Sequence, residues 1–325
     1  MTASQQAPRP APAPAPAAES APAHPALVSV ILAAKDAADT IDAQLEALAG
    51  QTYAGPWELV FVDDGSSDET LAIVGAWRER LPHVRALSVP RRVCSTSSRR
   101  RPARLERTVT RARNRAVEHS HGELLLFCDA DDIVGEAWIE RMVDGLRRYP
   151  AVGGRIERWR LNDQTAVAVR PPKGDQLLDG TFGFLLYPMG ANCGMRRDAW
   201  SQLGGFVDSY DSSEDVELFW RAQLAGYELG YVHDAVVHYR LRTSLCGMAA
   251  QAYSFGRSHP RLYRDFSRFG MPRSSARAAL RECAWLAAHV RSLARNRSGR
   301  AVWLSRLALR LGRIVGSAQN RVIYL

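Results

Sequence analysis

Apolar and polar positions follow two rhythms along the chain, and each change of rhythm marks a new element. Leu27-Val28-Ser29-Val30-Ile31-Leu32 is a short apolar, β-branched run, which reads as a buried strand. A helix follows, with Asp39 or Thr40 as cap and Ile41, Leu45 and Leu48 on one face. Glu58-Leu59-Val60-Phe61-Val62 reads as a second strand and stops at Asp63-Asp64-Gly65. Ser66 to Asp68 can cap the next helix, whose apolar face is Leu71, Val74, Trp77 or Arg78, and Leu81. Val84 to Val89 is a third, weaker strand; Glu123 to Cys128 is a fourth and ends in Asp129-Ala130-Asp131-Asp132. Near-continuous apolar strands alternating with helices predict an α/β fold, its mostly parallel sheet covered by helices on both faces. In such sheets ligands bind outside the carboxyl ends of strands, and both acidic clusters fall there.

Composition sharpens the picture in three places. At 325 residues and 46% hydrophobic, the chain can build one large domain or two modest ones, which excludes a small disulfide scaffold and a wholly disordered protein. The first 26 residues are an Ala/Pro run without a basic start or apolar core, so they read as a disordered tail and not as a secretory signal. No later stretch is apolar for long enough to predict a transmembrane helix. The 43 basic residues exceed the 34 acidic ones by nine, and only Lys35 and Lys173 are lysines. The arginines concentrate. Arg91 to Arg115 holds ten against Glu106, and reads as a solvated loop running into a helix near Arg111. Residues 271–325 hold eleven against Glu282, at helical apolar spacing, so this end carries +10 and the remainder is almost neutral. Such surfaces favour anionic partners without choosing among phosphate, nucleic acid and lipid. The five cysteines stand singly with no C-x-x-C pair, which argues against a zinc site and for a reducing compartment.

Asp129-Ala130-Asp131 puts two carboxylates on the same side of an extended strand end, able to approach one hard cation such as Mg²⁺ or Mn²⁺. The competing reading is a turn or cap that satisfies backbone N–H groups. Asp63-Asp64-Gly65-Ser66-Ser67-Asp68 carries the same ambiguity, between a capped turn and a site for a base or ribose hydroxyl. Glu214 and Asp215 follow Ser213 at a helix start, where acids also meet the dipole favourably. His238 ends an apolar run, where a structural role is the ordinary one; Asn192 fits a turn hydrogen bond, and Gly204-Gly205-Phe206 a backbone turn with a core anchor.

Taken in order, these segments resemble the family 2 glycosyltransferases. The resemblance runs through Val28-Ser29-Val30-Ile31, Val62 to Asp68, Ala112-Arg113-Asn114-Arg115-Ala116, Phe127 to Asp132, Gly190 to Arg197, Leu203-Gly204-Gly205-Phe206, Ser213 to Leu218 and Ala235 to Arg240. It is collinear from about residue 27 to 242. It implies a GT-A fold over 27–245, with a nucleotide-sugar half at 27–135, an acceptor half at 136–245 and a basic helical extension at 246–325. The implied reaction is metal-dependent transfer of a sugar, with inversion, from a UDP, dTDP or GDP sugar to a sugar or lipid-linked acceptor in cell-surface glycan or glycolipid assembly. Asp63 and Asp64 would hold base and ribose. Asp129 and Asp131 would hold the metal and diphosphate, with Asp131 the closest ligand and His238 beside them. Arg113, Asn192 and Lys35 would meet the nucleotide sugar, and Asp215 would be the general base, supported by Glu214.

The chain also departs from the family pattern. Ala33-Ala34-Lys35-Asp36 stands where the family usually continues Pro-x-Tyr-Asn, so Lys35 is read toward the phosphates in place of an aromatic on the base. No Gln-x-x-Arg-Trp occurs, which speaks against a processive synthase. A nucleotidyltransferase would also use paired acids, but Ala33 to Ala38 lacks the glycines of a phosphate loop. A nucleic-acid-binding protein would use the arginines, but no helix-turn-helix, zinc or RNP pattern is present. The expected location is cytoplasmic. The C-terminal arginines leave two readings open: peripheral binding to the inner face of the plasma membrane, with Trp285 and Trp303 at headgroup depth, or helices that pack on the catalytic domain with their arginines solvated.

Overall fold

The computed structural model describes residues 26–88, 109–171, 180–210 and 212–325. The Ala/Pro run up to residue 25 and the first part of the arginine segment lie outside the described residues.

The chain begins with β1 (Val28–Ala34), α1 (Ile41–Ala49), β2 (Trp57–Asp63), α2 (Thr70–Ala76) and β3 (Val84–Ser88). It continues through α3 (Val109–Glu118), β4 (Leu124–Asp129), β5 (Ile133–Val134), α4 (Trp138–Arg148), β6 (Ala151–Glu157) and α5 (Gln164–Val169). Then come β7 (Asn192–Arg196), α6 (Arg197–Leu203), α7 (Glu214–Leu224) and β8 (Leu229–His238). The last helices are α8 (Leu245–Phe266), α9 (Ala276–Ala288), α10 (Ser292–Arg295) and α11 (Arg297–Asn320).

The eight strands among the described residues form one sheet in the order β3-β2-β1-β4-β7-β6-β8-β5. The first four are parallel, as their apolar runs predict; β7 then joins β4 antiparallel and turns the rest of the sheet mixed. Strand alternation distributes the core between two faces. Val30, Leu32, Leu59, Phe61, Leu126 and Cys128 point to one side, with Ile41 and Leu45 of α1 and Trp138 of α4. Ile31, Val60, Val62, Leu125 and Phe127 point to the other, with Ala112 of α3, Trp200 of α6 and Trp220 of α7. On α2 the anticipated face holds for Val74 and for Trp77 and Leu81 just beyond it, whereas Leu71 points outward.

The connections from β1 to β2 and from β3 to β4 run over opposite faces, because α1 packs on one side and α3 on the other. The strand order reverses direction between β1 and β4, the place where sheets of this kind form a ligand crevice. Register puts Ala34 opposite Asp63 and Ala33 opposite Asp129, so both acidic clusters flank the end of β1.

Candidate active site

One wall of the crevice is two loops tied to each other. Asp63 turns back on its own chain, accepting from the backbone N–H groups of Gly65 at 3.1 Å and Ser66 at 3.0 Å. Gly65 sits at φ 75°, a conformation that glycine reaches without strain. Across the gap, Ser67 donates to Asp36 Oδ1 from its backbone N–H at 2.7 Å and from its hydroxyl at 3.0 Å. The Ala38 N–H donates to Asp68 Oδ2 at 2.9 Å. The Ser67 backbone bond, more than any other effect, holds the Asp36 carboxyl below its ordinary range. Asp63 and Asp64 stand buried at the strand end, and exposed Lys35 follows the end of β1.

The opposite wall gathers carboxylates. Asp129, Asp131 and Asp132 each place a carboxylate oxygen within 4.8 Å of the others. The reason differs from the strand alternation expected: β4 ends at Asp129, and a turn brings the next two acids back beside it. Asp132, which the sequence motif contains without assigning it a role, is fully buried; its Oδ1 accepts from the Arg240 N–H at 2.7 Å and its Oδ2 has no hydrogen-bond partner among the described residues. Burial first, and then the Asp129 charge, push the Asp131 and Asp132 carboxyls upward. A buried oxygen without a partner, among like charges, is an arrangement that a cation satisfies. Arg242 approaches Asp131 Oδ2 at 3.4 Å, and Arg240 Nε donates to the Asp131 carbonyl at 2.8 Å.

Arg113 joins this cluster to the other acidic pair. Its guanidinium, 3% exposed, donates to Asp129 Oδ1 at 2.6 Å and to Glu214 Oε1 at 3.0 Å. Ala112 and Ala116 bury the inward face of α3, which carries Arg113 against the end of β4. Asp215 lies alongside: its Oδ2 accepts from the Gly190 N–H at 2.8 Å and its Oδ1 from Val216 N–H at the same distance. The start of α7 is thus tied to the Gly190 loop and carries no side-chain cap. Ser213 precedes it at φ 63°, a strained value for a serine, and its hydroxyl meets Ser258 on α8 at 2.7 Å without capping. Burial, reinforced by the charge of Asp215, pushes Glu214 up to about 7.

Two residues anticipated at the site are held elsewhere. Asn192 is fully buried, accepting from Trp138 Nε1 at 2.8 Å and donating to the carbonyls of Arg155 and Ala235 at 2.9 Å each. Its amide joins β6, β7 and β8. His238 stands outside the carboxylate group: its Nδ1 pairs with Glu157 Oε2 at 2.8 Å and its Nε2 faces Arg160 at 3.0 Å. Conversely, Gln44 of α1 supports the acidic turn, donating to the Asp129 carbonyl and accepting from the Val134 N–H, each at 3.0 Å. Its signal in the sequence was a polar residue on an apolar helix face.

The arrangement can bind a polyanion at one wall and remove a proton at the other, and the sequence carries the matching pattern. Residues 29–204, more than half of the chain, match the model of Glycosyl transferase family 2. The chain belongs to that family. The mixed sheet flanked by helices is the GT-A fold its motifs implied. The glycosyltransferase AglE of Haloferax volcanii is 27% identical over 212 residues, 64% of this chain and 65% of AglE. The chain thus spans just under two thirds of AglE, 29% of the uncharacterized glycosyltransferase YibD of Escherichia coli and 52% of the succinoglycan biosynthesis protein ExoM of Rhizobium meliloti. Among solved structures, the mannosyltransferase PcManGT of Pyrobaculum calidifontis, in complex with GDP-Man and Mn2+, superposes with a TM-score of 0.57 at 17% identity. That match covers 92% of this chain and 87% of PcManGT. Residues 1–349 of S. aureus TarS, in complex with UDP-GlcNAc, match at TM-score 0.50 and 17% identity over 92% and 93% of the two chains. No described helix is long and apolar enough to cross a membrane.

Proposed function

We propose that this family member is a metal-dependent, inverting glycosyltransferase. It moves a sugar from a nucleoside-diphosphate donor of the UDP, dTDP or GDP type to a hydroxyl of a sugar or lipid-linked acceptor, in the cytoplasm, for cell-surface glycan or glycolipid assembly. The observation that carries this reading is the Arg113 bridge, because one buried guanidinium meets both Asp129 of the acidic cluster and Glu214, the neighbour of Asp215. The donor complexes of PcManGT and TarS support a nucleotide-sugar donor, and the Mn2+ in PcManGT supports a divalent ion. We assign residues 27–135 to the donor and 136–245 to the acceptor.

Asp63 and Asp64 would position base and ribose, with Lys35 toward the phosphates. Asp131, Asp129 and Asp132 fit a divalent cation, Mg²⁺ or Mn²⁺, which when bound would offset the charge growing on the departing diphosphate. Asp215 would take the acceptor proton, since the N–H bonds from Gly190 and Val216 fix its carboxylate and leave lone pairs for a hydroxyl. Glu214 would hold Arg113 in place. One displacement with one base inverts the anomeric centre.

A panel of nucleotide sugars tests the reading by release of nucleoside diphosphate. Release should need Mn²⁺ or Mg²⁺ and stop with chelator. Asp131→Asn should lose metal-linked UDP affinity by calorimetry. Asp215→Asn should keep that affinity while turnover falls at least about 10²-fold. Wild-type turnover in Asp215→Asn would reduce that residue to a tie on the Gly190 loop, and chelator-resistant release would remove the metal.

A further inference from the structure

The C-terminal helices present a face that the crevice does not use. α9 rests on α11 through one side only. Trp303 Nε1 donates to the Leu286 carbonyl at 2.9 Å, and the Arg306 guanidinium lies 4.1 Å over the Trp285 ring while meeting Glu282 at 3.5 Å. These contacts relocate the two tryptophans expected at headgroup depth. Both indoles serve the helix–helix contact.

The other side of α9 faces outward. Ala276, Leu280, Cys283 and Ala287 recur at i, i+4, i+7 and i+11, the spacing of one helical stripe, and all are exposed, Leu280 at 70%. Val290, 50% exposed, lies in the turn two residues beyond the end of the helix. Arg277, Arg281 and Arg291, exposed as well, project alongside this stripe. Of the eleven large hydrophobic residues exposed among the described residues, six follow residue 279, so apolar exposure and uncompensated positive charge coincide.

Charge decides what covers such a face. A second copy would set +10 against +10, since residues 271–325 hold eleven arginines and one acid, and that acid is already paired with Arg306. A nucleic acid would reward the arginines and leave Leu280 and Val290 in water. An anionic bilayer surface rewards both, taking the apolar stripe into the acyl boundary and the arginines onto its headgroups.

We propose that the outer face of α9 is an interfacial docking surface for anionic lipid bilayers. The full chain lies on the membrane through this helix, which is too charged to enter the hydrocarbon. The proposal is independent of donor and metal, because vesicle binding is read without substrate.

Flotation of the full chain with phosphatidylcholine vesicles, with and without phosphatidylglycerol, tests it. Binding should occur only to the anionic vesicles and weaken as salt shortens the screening length. The variants Leu280→Asp/Val290→Asp and Arg277→Glu/Arg281→Glu should each lower partitioning at least about tenfold, at an unchanged melting temperature. Arg277→Gln/Arg281→Gln should lie between wild type and the reversal. Equal partitioning of wild type and both double variants overturns the proposal. So does a wild-type dimer that the variants convert to monomer with vesicle binding untouched, which would assign the face to a second copy.

Discussion

Arg113 meets Asp129 on one side and Glu214 on the other, and its burial determines what its loss does. Truncation leaves two carboxylates facing each other with no cation between them. Breaking a buried pair in this way costs about 3 kcal/mol or more. Arg113→Ala should therefore lower the urea midpoint markedly and abolish turnover. Arg113→Lys keeps the charge without the planar fork, so it should recover part of the stability and little of the activity. Glu214 adds a pH dependence. Its folded carboxyl, pushed up to about 7, binds a proton more tightly than the ordinary carboxyl at 4.5. The stability this contributes is complete below the ordinary value and is lost as pH rises through the folded one. The melting temperature of metal-free protein should fall across that window relative to Glu214→Gln, which carries no titrating group there. Parallel curves for the two proteins would contradict the assignment.

At the scale of elements, the junction of β6, β7 and β8 hangs on one side chain. Asn192 satisfies an indole N–H and two strand carbonyls, and β6 shifts register at Gly154 and Arg155 beside it. A Cβ on Gly154 would strike the Ala235 carbonyl and the Asn192 amide, so glycine is required for that approach. Asn192→Ala leaves three buried groups unpaired, each costing about 1–3 kcal/mol. Its melting temperature should drop well below wild type, and UDP affinity at a temperature where it stays folded should change little. A large loss of affinity without a loss of stability would return Asn192 to the donor. The eight motifs were readable in order because each is short and contiguous. Which of their side chains reach the crevice was not, since Asn192 and His238 are claimed by partners distant in sequence, Trp138 and Glu157. Gln44 escaped notice for the same reason: its partners, Asp129 and Val134, lie more than eighty residues on.

For the molecule as a whole, the C-terminal helices are part of the packed structure. α8 and α11 cross with backbones nearly touching, because Gly256, Gly312 and Gly316 leave no side chain at the contact. Tyr324 then enters the core beside Tyr263. A Cβ on Gly312 would press on the Tyr253 carbonyl of α8. Gly312→Ala gains about 1 kcal/mol of helix propensity, and overpacking at a rigid backbone contact costs about 1–3 kcal/mol. The contact should win, so thermal unfolding of Gly312→Ala should begin below that of wild type. A higher melting temperature would mean that the crossing yields freely.

The sequence by itself determined the parallel β1–β4 layer and the strand ends that bear the acids. Apolar runs of strand length and helical apolar spacing are local signals, each complete within about ten residues. The expected caps differ: neither Asp39 nor Thr40 forms a capping hydrogen bond on α1, and the N-cap of α2 is Glu69, outside Ser66 to Asp68, which makes none either. The sequence also marked a charge imbalance at the C-terminus, which composition alone reveals. Only the tertiary structure decided that β7 enters antiparallel beside β4, that Asp132 joins Asp129 and Asp131, and that Arg113 spans to Glu214 a hundred residues away. It likewise turned Trp285 and Trp303 inward and left Leu280 outside. These outcomes depend on which distant surfaces meet. A buried charge or amide is satisfied by whatever the fold brings within about 3 Å, and spacing along the chain does not encode that partner.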